Sequence, residues 1–189
     1  MKFCSDCGSA VSLQIPERDD RQRHVCNACG VIHYQNPRVV VCAIPAWEDK
    51  VLLCRRAIEP RHGFWTLPGG FMENGESTLQ AAIRETREEA CARIEIHALY
   101  SMFNIIHINQ VQLFFRATLT DLDFSPGDES LETALFSEDE IPWQELAFPA
   151  VTSTLKEYFK DLPGKQFNLR LADILLDADQ QRIIRNHNF

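Results

Sequence analysis

Two matched cysteine pairs constrain the fold of the first 36 residues more strongly than any other feature of the chain. They read Cys4-x-x-Cys7 and Cys26-x-x-Cys29, and each pair is followed by a glycine. A glycine permits the tight turn that brings the two thiols of a pair together. Four thiolates at this spacing are typical of tetrahedral Zn²⁺. The sequence therefore predicts a structural zinc site in a small ribbon that spans residues 1–36.

Two redox-active CxxC motifs are the alternative, but such a motif is normally single and lies beside a βαβ pattern. The total of seven cysteines is odd, which argues against a full set of disulfides. The first residues lack the apolar segment of a signal peptide. The longest apolar run, residues 39–47, is shorter than the roughly 20 residues that span a bilayer. We therefore expect a cytoplasmic protein with reduced or metal-bound cysteines and no membrane contact.

The formal charge of −8 is concentrated in the middle of the chain. Residues 1–36 and 161–189 are each balanced, so the whole acidic excess lies in residues 37–160. A nucleic-acid binder is normally basic, and the ribbon carries no basic stripe. Nucleic acid is therefore an unfavoured partner, and the central carboxylates either cover a solvated face or hold cations.

Alternating and periodic apolar patterns divide residues 37–160 into strands and helices. Ser77 and Gln80 form a capping box that predicts the start of a helix. The pattern after residue 160 is mixed and indicates a C-terminal extension over residues 161–189. The predicted elements are a strand hairpin at 39–47 and 50–55, a helix at 77–90, one or two strands within 94–108, strands near 111–119 and 134–136, a helix at 149–159, and a possible strand near 167–171.

Three glutamates share one face of the helix predicted at 77–90. Glu85, Glu88 and Glu89 stand at i, i+3 and i+4, so their carboxylates are neighbours that repel one another. Mg²⁺ prefers carboxylate oxygens and often binds together with substrate phosphates. The alternative is a solvated acidic face. A separate stripe is expected to pack on the core and consists of Leu79, Ala82, Ile83, Thr86 and Ala90.

The segment that contains this helix resembles the Nudix box, Gly-x5-Glu-x7-Arg-Glu-U-x-Glu-Glu-x-Gly-U, where U is a bulky aliphatic residue. Thr86 and Ala92 depart from it at the U positions, and Cys91 replaces the last glycine. A non-glycine residue at that turn pays to adopt a positive φ, so we expect strain at Cys91. The positions that match are Gly70, Glu76, Arg84, Glu85, Glu88 and Glu89.

The resemblance implies an α+β fold, an α/β/α sandwich around a mixed sheet that occupies residues 37–160. It also implies Mg²⁺- or Mn²⁺-dependent hydrolysis of a nucleoside diphosphate linked to another group, and a possible homodimer. Arg84 would orient a glutamate, and Glu76 would support the entry to the helix. A later loop would supply a base or ligand, for which Glu129 is the first candidate and Glu132 the second. The implied catalytic-metal ligands are Glu85, Glu89, Glu88 directly or through water, the carbonyl of Gly69, and Glu129.

The ribbon followed by a Nudix box is similar to zinc-containing NADH pyrophosphatases. Those enzymes carry a Ser-Gln-Pro-Trp-Pro-Phe-Pro-x-Ser array after the box, and residues 101–108 of this chain differ from it. Plastid FAD and ADP-ribose pyrophosphatases of the plant type resemble the chain more closely. Their pattern matches Tyr34-Gln-Asn-Pro37, Trp65-Thr-Leu-Pro68 and Glu129-Ser-Leu-Glu132. This resemblance implies cleavage of FAD to FMN and AMP, or of ADP-ribose to AMP and ribose 5-phosphate.

Candidate substrate contacts are cations for the phosphates and aromatic rings for a base. Arg38, Arg55 and Arg56 are the cations, with surface exposure as the alternative. Phe64, Trp65 and Phe103 are the rings, with core packing as the alternative. Three other functions stay open: an NADH pyrophosphatase, removal of dinucleotide caps from RNA, and a non-catalytic nucleotide sensor. The sensor is disfavoured because all four box glutamates are present.

Overall fold

A computed structural model describes residues 1–187, which form two compact units divided between Pro37 and Arg38. The N-terminal unit contains one antiparallel sheet in which the middle strand pairs with both neighbours. Such a short sheet buries little apolar surface, so a metal site is the expected source of its stability. Its strands are β1 (Val11–Gln14), β2 (Arg23–Cys26) and β3 (Ile32–His33).

The second unit is built on a nine-stranded mixed sheet. Its elements are β4 (Arg38–Trp47), β5 (Lys50–Arg56), β6 (Trp65–Thr66), β7 (Gly69–Phe71), α1 (Thr78–Ala90), β8 (Ile94–Ile105), β9 (Gln110–Leu119), β10 (Ser130–Phe136), α2 (Pro149–Asp161), β11 (Arg170–Leu176) and β12 (Arg182–His187), with short 3₁₀ helices at Ile106–Ile108 and Trp143–Glu145. The main order is β10-β5-β4-β9-β8-β11-β12, with β6 on β5 and β7 on β4. The pairs β4–β9 and β8–β11 are parallel, and the others are antiparallel.

One helix covers each face of this sheet. Because side chains alternate along a strand, Val41 and Ala43 of β4 face one side, and Cys42 and Ile44 face the other. Val41 packs with residues of α1, whereas Ile44 belongs to the large core that α2 completes. The α/β/α sandwich around a mixed sheet is confirmed.

The buried arc of α1 differs from the stripe predicted for it. Leu79 and Ile83 are 46% and 44% exposed, so their predicted core role is wrong. The helix instead approaches the sheet through small residues. It also buries Glu89, so this part of the acidic face of α1 points toward the interior. The buried residues of α1 are Ala81, Ala82, Thr86, Glu89 and Ala90.

The departures from the box are accommodated locally. Thr86 is fully buried, and its hydroxyl donates to the Ala82 carbonyl at 2.7 Å, which satisfies the polar group inside the helix. Cys91 ends the helix in the left-handed region with φ of 50°, as its position predicted. Ala92 is buried in a core cluster.

The chain after residue 160 extends the sheet by two strands. β11 pairs in parallel with β8 and antiparallel with β12. The strand expected near residues 167–171 therefore begins at Arg170, and residues 94–105 form a single strand. Within the described part of the chain, no helix is both long and apolar enough to cross a membrane.

We expect Cys91→Gly to raise the free energy of unfolding by about 0.5–1 kcal/mol, because glycine adopts a positive φ without the steric cost borne by a Cβ. Urea denaturation of the full chain measures the change. Cys91→Ala is the matched control, since it removes the thiol and keeps the Cβ. Equal stability of the two variants would contradict strain at this position.

Candidate active site and zinc site

The four cysteines of the N-terminal unit converge as predicted. Their Sγ atoms all lie within 4.8 Å of one another. The Cys4 and Cys29 sulfurs are 3.8 Å apart, and the Cys7 and Cys26 sulfurs are 3.4 Å apart. A tetrahedron with Zn–S bonds of about 2.3 Å requires S···S distances of roughly 3.8 Å. The cluster therefore fits structural Zn²⁺.

Two similar turns position the thiols. The amide of Gly8 donates to the Cys4 carbonyl at 3.0 Å, and Gly30 donates to Cys26 at 3.1 Å. Both glycines have φ near +73°, which glycine adopts without strain. His33 lies outside the tetrahedron, with its Nε2 3.3 Å from the Cys4 sulfur, where it supports a ligand.

Arg84 organises the acidic face of α1. Its guanidinium forms a bidentate pair with Glu76, with contacts of 2.7 and 3.0 Å. One nitrogen also donates to Glu85 at 2.7 Å and Glu88 at 3.0 Å. Another donates to the carbonyl of Phe71 at 3.1 Å. The guanidinium holds the pKa of Glu76 at about 2, so this carboxylate stays ionised and fixes the entry to the helix.

Glu89 is the most deeply buried carboxylate of the site. It is 6% exposed and accepts the amide of Gly69 at 3.0 Å. The pKa of Glu89 is raised to about 7, chiefly by burial and also by the charges of Glu85 and Glu129, while the Gly69 amide and Arg56 act in the opposite direction. Burial is also the main cause that raises the pKa of Glu85. These carboxylates repel and are poorly solvated, so divalent cations suit them.

Glycines allow the backbone to approach the carboxylates closely. A Cβ on Gly70 would lie 2.6 Å from the Glu85 carboxylate. A Cβ on Gly127 would overlap the carbonyl of Glu88, and the Gly127 amide donates to the Glu89 carbonyl at 3.0 Å. Gly127 is a residue of the site that the sequence analysis did not predict. A glycine just before the acidic Asp128-Glu129 pair was the available signal.

A cavity of about 1040 Å³ brings most of the predicted site residues together. Its wall contains glutamates, three glycines and isoleucines. Glu129 lines the cavity, and its charge raises the pKa of both Glu85 and Glu89. The predicted residues in the wall are Gly69, Arg84, Glu85, Glu88, Glu89 and Glu129, joined by Arg56.

Several candidate residues lie elsewhere. Glu132 pairs with Arg55 at 3.6 Å, on neighbouring strands and away from the cavity wall. Arg55 and Arg56 point to opposite faces of β5 because they are adjacent in a strand, and Arg56 is the one that lines the cavity. Arg38 is exposed, with its guanidinium 5.0 Å from the Phe71 ring, and does not line the cavity.

The three aromatic residues predicted to contact a substrate lie in different environments in the structure. Trp65 and Phe103 are 6% and 3% exposed and make edge contacts with Phe136 and Phe114. The expectation that they stack on a substrate ring is therefore corrected, because core packing occupies them. Phe64 lines a second, smaller cavity.

Two profiles of known protein families match the chain, and the boundary between them lies close to the boundary between the two structural units. The NUDIX domain profile matches residues 36–159, and a zinc-ribbon profile described as Nudix N-terminal matches residues 2–35. The chain belongs to the Nudix family. It retains all four glutamates of the Nudix box.

Individual relatives agree with this family. A crystal structure of a NUDIX hydrolase from Nitrosomonas europaea is 54% identical, with a TM-score of 0.87 over 92% of this chain and 99% of that one. The NAD-capped RNA hydrolase NudC of Photobacterium profundum is 32% identical over 72% of this chain. An ADP-ribose pyrophosphatase of Methanocaldococcus jannaschii is 28% identical over 67% of this chain and 76% of its own length. The chain spans about half the length of the NudC relatives, 49% in the first case.

We expect Cys26→Ser to abolish stoichiometric zinc binding, because it removes one of the four thiolates of the site. Elemental analysis of the purified protein measures zinc per chain. Cys91→Ser is the control, since Cys91 is exposed and lies outside the cluster. Unchanged zinc content in Cys26→Ser would contradict the assigned ligand set.

Proposed function

We propose that this Nudix hydrolase cleaves the pyrophosphate of small nucleoside diphosphate compounds, with ADP-ribose and NADH-type dinucleotides as the leading substrates. The observation that carries this proposal is the cavity of about 1040 Å³, whose wall contains both carboxylates and apolar side chains. A volume at the upper end of the usual range for ligand sites, roughly 300–1,000 Å³, suits a molecule with two nucleoside-sized ends.

The carboxylates would hold the pyrophosphate through cations. Glu85 and Glu89 are the proposed direct ligands, with Glu88 more exposed and able to act through water. When bound, Mg²⁺ supplies Lewis acidity that neutralises charge developing on the phosphate oxygens. Arg84 keeps the Glu85 and Glu88 carboxylates in position. Glu129 would orient the attacking water and accept its proton, since it lines the same cavity from a separate loop.

The apolar part of the cavity would receive a base or a nicotinamide ring. Ile58, Ile105 and Ile108 line it, together with Val151 and Ile174. Apolar contact of this kind excludes water and orients a ligand without fixing its chemical identity. The preference for ADP-ribose and NADH-type substrates is supported by relatives named as an ADP-ribose pyrophosphatase and as NAD-capped RNA hydrolases. FAD, which the sequence resemblance favours, remains a third proposed substrate.

A substrate screen tests this proposal. We expect the zinc-loaded full chain with Mg²⁺ to release AMP fastest from ADP-ribose or NADH, as measured by mass spectrometry of the products. FAD is tested in the same screen and would release AMP and FMN. Hydrolysis of none of the three would contradict the proposed substrate class.

We expect Glu85→Gln to lower kcat at least about 100-fold, the effect of removing one electrostatic stabiliser from an active site. Initial rates at saturating Mg²⁺ measure it. Glu132→Gln is the matched control, because Glu132 pairs with Arg55 away from the cavity, and we expect it to keep its activity. Unchanged turnover in Glu85→Gln would contradict the catalytic assignment of this glutamate.

A further inference from the structure

A second cavity of about 580 Å³ adjoins the catalytic one. Four residues line both cavities: Arg61, Phe148, Pro149 and Arg182. The two spaces therefore share a wall, and a ligand that fills the first could extend past Phe148 into the second.

The charge of the second cavity is opposite to that of the catalytic carboxylates. Arg61, Lys156 and Arg182 line it, and among the described residues no carboxylate does. None of these three cations forms an ion pair within residues 1–187. In a protein with a net charge of −8, three unneutralised cations at one cavity favour an anionic ligand.

Aromatic rings hold two of these cations in place. The Arg61 guanidinium lies 5.3 Å from the Phe64 ring centroid, and the Lys156 ammonium lies 5.9 Å from the Trp143 ring centroid. A ring restricts the position of a cation without neutralising its charge. The cations are thus positioned and still free to pair with a ligand.

The start of α2 adds to the positive potential at the shared wall. Phe148 is the N-cap and makes no side-chain cap hydrogen bond, and the first turn contains no acidic residue. The amides of a first helical turn have no partner within the helix and carry a partial positive charge. Pro149 opens the helix in the wall between the two cavities.

We propose that this second cavity binds a phosphate ester that the substrate carries outside its scissile pyrophosphate. The inference rests on the proposed function, which places the pyrophosphate at Glu85 and Glu89. Two sources share this chemistry: a phosphomonoester on a ribose of a small dinucleotide, and the phosphodiester of an oligonucleotide that bears a dinucleotide at its 5′ end. Arg61 and Arg182 border both spaces, whereas Lys156 contacts only the second.

Paired substrates test the proposal. The zinc-loaded full chain is assayed with Mg²⁺ on ADP-ribose against its 2′-phosphorylated form, on NADH against NADPH, and on NAD⁺ against a short RNA with a 5′-terminal NAD. We expect higher kcat/KM for the member with the extra phosphate in at least one pair, and the pair that responds identifies the source. Because exposed ion pairs are screened by salt, the preference should shrink in 0.5 M KCl, at a Debye length of about 4 Å.

Lys156→Gln should reduce this preference ratio about fivefold, the effect of losing one partly solvated ion pair. Lys160→Gln is the matched control, because Lys160 lies one turn later on α2 and outside the cavity. The control should keep the wild-type ratio. An absent preference in all three pairs, or equal ratios in the two variants, would overturn the proposal.

A binding measurement distinguishes failure of the proposed function from failure of the proposed subsite. If no substrate is hydrolysed, calorimetric titration of the same small-molecule pairs and the NAD-bearing RNA, without divalent cations, measures their binding independently of catalysis. Tighter binding of a phosphorylated member to wild type than to Lys156→Gln would support the subsite while the substrate assignment fails. Equal binding of every pair to both proteins would overturn the subsite.

Discussion

The guanidinium of Arg84 connects carboxylates of the candidate active site that would otherwise repel one another. It binds Glu76 before the helix, Glu85 and Glu88 on the helix, and the carbonyl of Phe71 at the end of β7. A lysine would offer a point charge in place of this fork of donors, so the geometry depends on arginine. The result is a cluster of carboxylates fixed in one orientation before any cation or substrate arrives.

Burial then sets the chemistry of that cluster. Glu89 lies against the Gly69 amide with little exposure, and its pKa rises to about 7 because water is excluded. Cations would restore the ionised form of such groups, and an acidic site could then receive the proposed polyanionic substrate. The neighbouring cavity has the opposite charge, because Lys156 lines it together with two cations of the shared wall, Arg61 and Arg182. Although the net charge of the chain is negative, its two cavities are lined by groups of opposite charge.

The sequence determined several features that depend on local spacing, although the core stripe predicted for α1 was wrong at Leu79 and Ile83. Cys4, Cys7, Cys26 and Cys29 define their site through two short turns, and the structure brings their sulfurs together as predicted. The capping box at Ser77 sets the start of α1, and the spacing of its glutamates sets their common face. The strained end of α1 at Cys91 also followed from the pattern. Such features need only neighbouring residues, whose geometry the backbone fixes.

The tertiary structure decided which side chains meet across the sheet. It placed Glu129 in the wall of the cavity with Glu85 and left Glu132 with Arg55. The resemblance ranked Glu129 first, but the sequence could not exclude Glu132 because both glutamates occupy one short segment. It buried Trp65 and Phe103, since a ring near a turn is equally suited to a core or a ligand. The cavity that joins Arg61 to Lys156 and Arg182 unites residues far apart in the chain. Spacing along a chain does not predict such contacts, because packing of the whole sheet creates them.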